Sequence, residues 1–377
     1  MDLLRELFDS YYDLIKPLVF KRTAKNPQKA HESFLKFCKI LYKFHLSKFI
    51  LEHKDNNSIL HISNAAGFNK NGEFPLQVLR DLGFNRVVVG TVTNDSWLGN
   101  PQPNIRRYPQ TESIVNWMGL PGVGAKNVAK NLSHFSDSIN SSYKKSNVPV
   151  TINLMSTPQK KGQEVLEDIE CTILATRDLK NVDRFELNIS CPNTHNSSGK
   201  IDSRKENLSQ LDQMLCILEK TILQHQKIFL KVSPDSTEKD VDDIISIAGK
   251  HKIAGFVTTN TTTNHDRNFI PISPTKEGEQ IGGASGNAVY QNSLRVQKLF
   301  FTKRQELNPD WQIIACGGIN SVKKLKERLA YGTSEIQVMT PFIYSGPRLL
   351  RRFHSANNRW HKLNHLNTKS HNFKKHH

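Results

Sequence analysis

Eight short runs rich in β-branched residues, each closing on glycine or polar groups, constrain this chain more than any other feature. They fall at Ile59–Asn64, Arg86–Thr91, Pro149–Leu154, Arg184–Ile189, Ile228–Val232, Gly255–Thr259, Gln312–Ala315 and Glu335–Val338. Patterns at helical spacing separate them, as in Asp240–His251 and Ser321–Tyr331. Strand and helix alternating in this way predict an α/β fold, a closed parallel (β/α)8 TIM barrel, in preference to an open doubly wound sheet. No GxGxxG follows the first run, which argues against a dinucleotide-binding sheet.

Such a barrel needs about 250 residues. The chain has 377, enough for extensions beyond it. A hydrophobic share of 37% with 23% charged residues suits a globular protein with a large core. No apolar run reaches the roughly 18–20 residues of a membrane-crossing helix. The opening MDLLRELFDS has neither the basic start and cleavage site of a secretory signal nor the Arg- and Ser-rich character of a transit peptide. Cys38, Cys171, Cys191, Cys216 and Cys316 show no metal-like spacing, so free thiols in a reducing compartment and no metal site are expected. The net charge of +17 is compatible with nucleic acid, anionic lipid or acidic substrates, and equally with solvated lysines on outer helices.

The ends of the runs carry the chemistry. The first enters AAGFNKNGE, the second GTVT, the third ends at Asn153 and the fourth enters NISCPNT. The fifth carries Lys231, the sixth enters TTNTT, the seventh CGGIN and the eighth Met339-Thr340. In a β/α barrel these ends share one rim, where the βα loops converge and active sites form. Gly317 and Gly318 let backbone N–H groups approach an anion, and Gly286 in GGASG and the Thr340 hydroxyl offer further donors. Turn glycines with no ligand would look the same.

Cys191 is followed by Pro192, which disfavours helix at the cysteine and fixes where its thiol points. A thiol of ordinary pKa, about 8.5, exchanges protons near neutrality and can serve as an acid–base group. A buried structural cysteine is the alternative, and the other four cysteines are read that way. Lys70 and Lys231 stand at strand ends as candidate cations for an anionic ligand. The amides of Asn116, Asn153, Asn188, Asn193 and Asn260 suit a flat heterocycle with alternating donors and acceptors.

Taken in order, AAGFNKNGE, GTVT, GNPQP, VNWMGL, NISCPNT, LKVSPD, TTNTT, GGASG and CGGIN resemble the dihydroorotate dehydrogenase family across roughly residues 25–350. The resemblance implies FMN at the rim with its phosphate on the last two loops. Ala66, Gly67, Thr91, Asn153, Asn188, Lys231, Thr259, Gly286, Gly318, Met339 and Thr340 would hold the cofactor. Lys70, Asn116, Met118, Gly119, Leu120, Asn193, Asn260 and Thr261 would hold dihydroorotate, with Lys70 facing its carboxylate. Cys191 falls where the family keeps its base. It would take a proton from C5 while hydride leaves C6 for FMN, Lys231 stabilising charge on the reduced ring. The product, orotate, leads to UMP.

The branch is mixed. A cysteine base is usual in the soluble branches of the family, whereas the quinone-dependent branch normally has serine. Residues 1–50 nevertheless resemble the quinone branch, through NPQKAHESFLKFCKILYKF, and His31 and Arg107 fall where that branch lines its quinone passage. Leu3, Leu4, Leu7, Phe8, Tyr11, Leu14, Ile15 and Leu18 form one apolar stripe, and Phe34, Phe37, Leu41 and Phe44 another, with Lys36, Lys39, Lys43 and Lys48 interleaved. Basic amphipathic helices of this kind suit a peripheral anchor on anionic lipid, although a helical cap packed on the barrel has the same pattern. The expected organisation is a membrane-docking, quinone-channel extension over 1–50, an FMN barrel over 51–350 and a flexible, basic, His-rich tail over 351–377. The expected location is the cytoplasmic face of a bacterial inner membrane, with the cytoplasm as the alternative.

The sequence departs from the family pattern at Asn69, often Asp, near Met339, where an aromatic is common, in NLMSTPQ after the third strand, and in the flap HNSSGKIDSRKENL. A tRNA-dihydrouridine synthase would share an FMN barrel and a nearby cysteine, and +17 would suit RNA. Its RNA-binding helical domain would follow the barrel, where only a short tail stands here, so nucleic acid is not the expected partner. A soluble dehydrogenase linked to fumarate or NAD is the other alternative, and a non-catalytic barrel is disfavoured by Lys70, Cys191 and Asn193.

Overall fold

All eight predicted runs are strands of one sheet. The structure, a computed structural model, describes residues 2–48, 60–136, 148–189, 202–272 and 282–358. The strands are β1 (His61–Asn64), β2 (Val87–Val92), β5 (Val150–Leu154), β6 (Val182–Asn188), β7 (Lys227–Val232), β8 (Gly255–Thr258), β10 (Gln312–Cys316) and β11 (Thr333–Val338). They pair in parallel in the order β1-β11-β10-β8-β7-β6-β5-β2. A parallel bridge between Ser63 and Arg86 brings the two ends of that order together, so the sheet curls into a barrel.

The connecting helices are α3 (Leu76–Asp81), α4 (Ala125–Ser136), α5 (Gln163–Thr176), α6 (Asp202–Thr221), α7 (Glu238–Ala248), α8 (Tyr290–Leu307), α9 (Val322–Ala330) and α10 (Thr340–Ser345). Helix α7 begins two residues before its expected start because Thr237 and Asp240 form a reciprocal capping box. Ser321 caps α9 by accepting from the Lys324 N–H at 3.3 Å. The main core lies between barrel and helices, where Val87, Val89, Ile152, Phe185, Leu230, Phe256, Phe300 and Ile336 are buried.

Alternate residues of the strands meet inside the barrel. Its lower layer is ionic: Arg184 reaches Glu335 at 2.8 Å, Ser63 donates to the same carboxylate, and Arg86 lies 3.9 Å from it while pairing with Asp183 on the outer face of β6. Above it lie Phe229, Val257 and Ile314. Arg184 stacks over the Phe229 ring at 4.3 Å, linking the two layers.

A second, antiparallel sheet was not anticipated. It joins β3 (Ile105–Tyr108), β4 (Ser113–Asn116) and β9 (Gly283–Gly286) across the rim. Each strand is only four residues long, and GASG has no apolar alternation, so local pattern could not reveal the pairing.

At the N-terminus, α1 (Asp2–Arg22) and α2 (Gln28–Lys43) lean on the barrel. Tyr12 donates to the Ile343 carbonyl and Lys16 to the Tyr344 carbonyl, both at 2.7 Å, while Arg348 meets Asp13 at 2.8 Å. Phe34 packs against Phe68, Phe74 and Phe342. Of the tail expected from residue 351, the described residues reach only to 358. The chain is helical over 348–358, with Leu349, Leu350 and Phe353 buried at helical spacing and His354 hydrogen-bonded to the Gly83 carbonyl. Those apolar residues hold its first turns to the barrel. The rest of the tail lies outside the described residues.

Candidate active site

One cavity of about 620 Å³ opens at the C-terminal rim and runs out between α1 and α2. Among the predicted cofactor residues, Ala66, Gly67, Thr91, Asn188, Lys231, Thr259, Gly286, Gly318, Met339 and Thr340 line it. Asn153 lies just beneath, fully buried and bonded to Thr91. The predicted substrate residues Lys70, Asn116, Met118, Gly119, Leu120, Asn260 and Thr261 line the same space, as do His31 and Arg107. Cys191 and Asn193 lie outside the described residues.

The floor is a continuous polar network built by the inward-facing positions of β5, β6, β7 and β11. Glu186 is its hub: it accepts from Asn153 Nδ2 and from Gln337 Nε2, each at 2.7 Å. Lys231 Nζ lies 3.4 Å from Glu186 and donates to Gln337 Oε1 at 3.1 Å. Thr91 donates to Asn153 at 2.6 Å, Asn188 to Thr91 at 3.3 Å and Asn260 to Asn188 at 3.1 Å. Burial opposes charge on Lys231, but Cys316 and Glu186 more than offset it and hold its pKa above the ordinary value. Sequence reasoning missed Glu186 and Gln337. The signal was the two-residue period of β6, which puts Arg184, Glu186 and Asn188 on one face.

At the opposite end three predicted anion-binding groups converge. Gly318 is in the left-handed region at φ +66°, and a Cβ there would lie 2.4 Å from the Gly286 carbonyl. A Cβ on Gly286 would meet Thr340 Cγ2 at 2.7 Å, and Thr340 Oγ1 shares a 2.8 Å hydrogen bond with Ser285. These are approaches that only glycine permits, and they bring the two glycine loops and Thr340 together at the cavity wall. Gly67, at φ +97°, packs against Met339. A polar floor with a buried ammonium, a broad cavity and a glycine-lined end fit a phosphorylated flat heterocycle such as a flavin mononucleotide.

Lys70 reaches into the cavity from the loop after β1, its ammonium 3.3 Å from Met118 Sδ. Burial lowers its pKa to about 8. An ammonium so placed gains most from a ligand that carries its own carboxylate. Asn116 donates to the Gly283 carbonyl at 3.3 Å, and Asn260 Oδ1 accepts from the Thr261 N–H at 2.9 Å. Gly119 is pressed against Asn100, and Leu120 adopts φ +59°, an uncommon conformation for leucine.

Towards α2, His31 sits edge-on to Phe68 and Phe74, with ring centroids 5.6 and 5.3 Å away. Burial, and secondarily the charge of Lys70, pushes its pKa down to about 4, so the imidazole is neutral. Arg107 lines the passage but is already engaged. It donates to the Phe20 carbonyl at 3.2 Å, the Thr23 carbonyl at 2.9 Å and Thr23 Oγ1 at 2.7 Å, and lies over the Phe20 ring. It therefore caps the carbonyl end of α1, where a cation is favoured. The outer passage is lined by Phe8, Tyr12, Ile15, Val19 and Phe34. The four described cysteines, Cys38, Cys171, Cys216 and Cys316, are free thiols, and Cys316, read as merely structural, borders the cavity.

The family model described as dihydroorotate dehydrogenase matches residues 46–357. A dihydroorotate dehydrogenase (quinone) of Idiomarina loihiensis is 30% identical over 358 residues, 90% of this chain and 98% of its own. One from Nostoc punctiforme is 29% identical over 366 residues, 91% and 92% of the two chains. One from Corynebacterium glutamicum is 32% identical over 291 residues, 77% and 72% of the two chains. Among solved structures, DHODH from Eimeria tenella in complex with ferulenol is similar with a TM-score of 0.72 at 24% identity. That likeness covers 91% of this chain and 92% of the other and bears on the fold. With residues 46–357 matched to the family model and a relative 30% identical along nearly its whole length, the chain belongs to the dihydroorotate dehydrogenase family.

Proposed function

We propose that the chain oxidises dihydroorotate to orotate in pyrimidine biosynthesis, with FMN bound at the barrel rim and a quinone as final electron acceptor. The observation that carries this reading is the single cavity joining the polar floor, the glycine-lined end and the apolar passage between α1 and α2. FMN, when bound, supplies the two-electron acceptor for the hydride that leaves C6. Thr91, Asn188, Lys231 and Thr259 would hold its ring system, with Asn153 orienting Thr91 from beneath, Ala66, Gly67 and Met339 would flank it, and Gly286, Gly318 and Thr340 would take its phosphate.

The protein's own part is positioning and charge. Lys70 binds the substrate carboxylate, and Asn116, Asn193, Asn260 and Thr261 match the amide edges of the ring. Met118, Gly119 and Leu120 close one wall. Cys191 takes the C5 proton, and Lys231, kept cationic beside Glu186, stabilises negative charge gained on reduction. The His31 passage admits the quinone from the side away from the polar floor.

Residues 1–50 are proposed to dock peripherally on a membrane. Leu7, Tyr11, Leu14 and Leu18 of α1 are exposed on one face, although no described helix is long and apolar enough to cross a membrane. Adding dihydroorotate anaerobically to the purified protein should bleach its flavin absorbance, and a ubiquinone analogue should restore it faster than fumarate or NAD. No bleaching would overturn the substrate; faster recovery with fumarate or NAD would overturn the acceptor.

A further inference from the structure

Behind the glycine-lined end lies a pair of cations that the reaction itself does not use. Arg328 of α9 is fully buried. It donates to Gln297 Oε1 and the Gly317 carbonyl, each at 2.9 Å, and to Ser293 Oγ at 2.8 Å. Ser293 in turn donates to the Cys316 carbonyl at 2.6 Å. One turn earlier on α9, Lys324 Nζ reaches Asn287 Oδ1 at 2.7 Å and the Gly318 carbonyl at 3.3 Å. Three consecutive carbonyls, those of Cys316, Gly317 and Gly318, are therefore drawn towards the helices by these two cations, the first through Ser293.

In a trans peptide the N–H of the next residue points opposite to the carbonyl. Holding the Gly317 and Gly318 carbonyls against α9 thus turns the Gly318 and Ile319 N–H groups the other way. Gly317 and Gly318 border the cavity, and both are in the left-handed region, at φ +128° and +66°. Neither N–H has a backbone acceptor among the described residues. Successive N–H groups on such a turn form a concave anion seat.

The charge balance points the same way. Neither Arg328 nor Lys324 has a carboxylate at salt-bridge distance among the described residues, and both stack near the Tyr290 ring. Glu327, the adjacent acid, accepts from Tyr290 OH instead. Burial lowers the Arg328 pKa to about 10, which still leaves it charged at neutral pH. A buried guanidinium without a contacting counter-ion is costly unless a ligand anion completes it.

We propose that Arg328 and Lys324 are positioning residues that clamp the Cys316–Gly318 loop and charge the seat for the terminal phosphate of the flavin. The proposal rests on the FMN reading and deepens it: selectivity for the phosphorylated flavin over the bare one is set from behind the loop, by side chains that do not touch the ligand.

The test compares FMN with riboflavin, which lacks the phosphate, as ligands of the flavin-stripped full chain followed by fluorescence quenching. Wild type should bind FMN more tightly than riboflavin. Arg328→Gln should reduce that preference by about tenfold or more, as expected for one charge lost near a phosphate in a low-dielectric site, with riboflavin affinity little changed. Arg328→Lys should restore most of it. Lys324→Met, at a less buried position, gives a second test should Arg328→Gln fold poorly, and should also narrow the preference. Full preference retained in the folded variants, or equal losses for both ligands, would overturn the clamp alone. A wild type without preference for FMN would overturn the cofactor reading and the clamp with it.

Discussion

Lys231 and Glu186 face each other 3.4 Å apart inside the barrel, and both side chains are almost wholly shielded from water. Glu186 holds the Lys231 ammonium at the floor of the cavity, while Gln337 and Asn153 each donate to the same carboxylate. Glu186→Ala should leave the ammonium buried without its partner and destabilise the fold by about 3–5 kcal/mol. Urea unfolding of the single and double variants with Lys231→Met checks this. A double-variant cycle with no coupling between the two positions would contradict the pairing.

Lys70 should impose a pH limit on substrate binding. Burial lowers its folded pKa to about 8, so it is protonated below that pH and neutral above it. Its charge is present to meet a carboxylate at pH 7 and is lost as pH rises through about 8, so the half-saturating dihydroorotate concentration should climb there. Lys70→Met should raise that concentration roughly 10- to 100-fold at pH 7, the worth of a charged hydrogen bond, and flatten the rise. An unchanged pH profile in the variant would exclude Lys70 as its source.

Cys191, outside the described residues, is assigned by its place in NISCPNT. Cys191→Ala should retain flavin yet slow its reduction by dihydroorotate about 10²- to 10⁴-fold, the usual contribution of a general base. Stopped-flow bleaching measures this directly; near-normal reduction would remove Cys191 from the mechanism.

Arg107 should matter more to the acceptor half-reaction than to the substrate half-reaction. Its hydrogen bonds to Phe20 and Thr23 hold the end of α1. Arg107→Ala should loosen that end by about 1–2 kcal/mol, the upper range for a cation at a helix C-terminus. Faster proteolysis within α1 and a slowed quinone step, with a smaller effect on dihydroorotate-driven bleaching, are the expected outcomes.

Phe353 anchors the helix that follows the barrel and is fully buried. Phe353→Ala should cost about 3–5 kcal/mol, measured by thermal or urea unfolding, as for a large core aromatic. A loss below 1 kcal/mol would mean that this helix adds little to the core.

Much of the fold was legible locally. The runs read as strands match β1, β2, β5, β6, β7, β8, β10 and β11 to within about two residues, because β-branched runs bounded by turn residues are short-range signals. Their ends carried many of the polar and glycine residues that line the cavity, since barrel topology makes every strand end a rim position.

What the chain's order alone determined, then, is the alternation of strand and helix and the identity of the rim motifs. Tertiary structure decided the rest. The antiparallel sheet joins β4 to β9 across more than 160 positions of sequence, a pairing that only folding brings about. Glu186 acquired its role from Lys231, Asn153 and Gln337 on three other strands, and Arg107 from the carbonyls of α1. Arg328 reads as one more helix cation until the fold sets it against the carbonyls beneath the glycine loop. A side chain's type is local, but its hydrogen-bond partners and its burial are set by distant segments, and those decide whether a charge is solvated surface or part of a site.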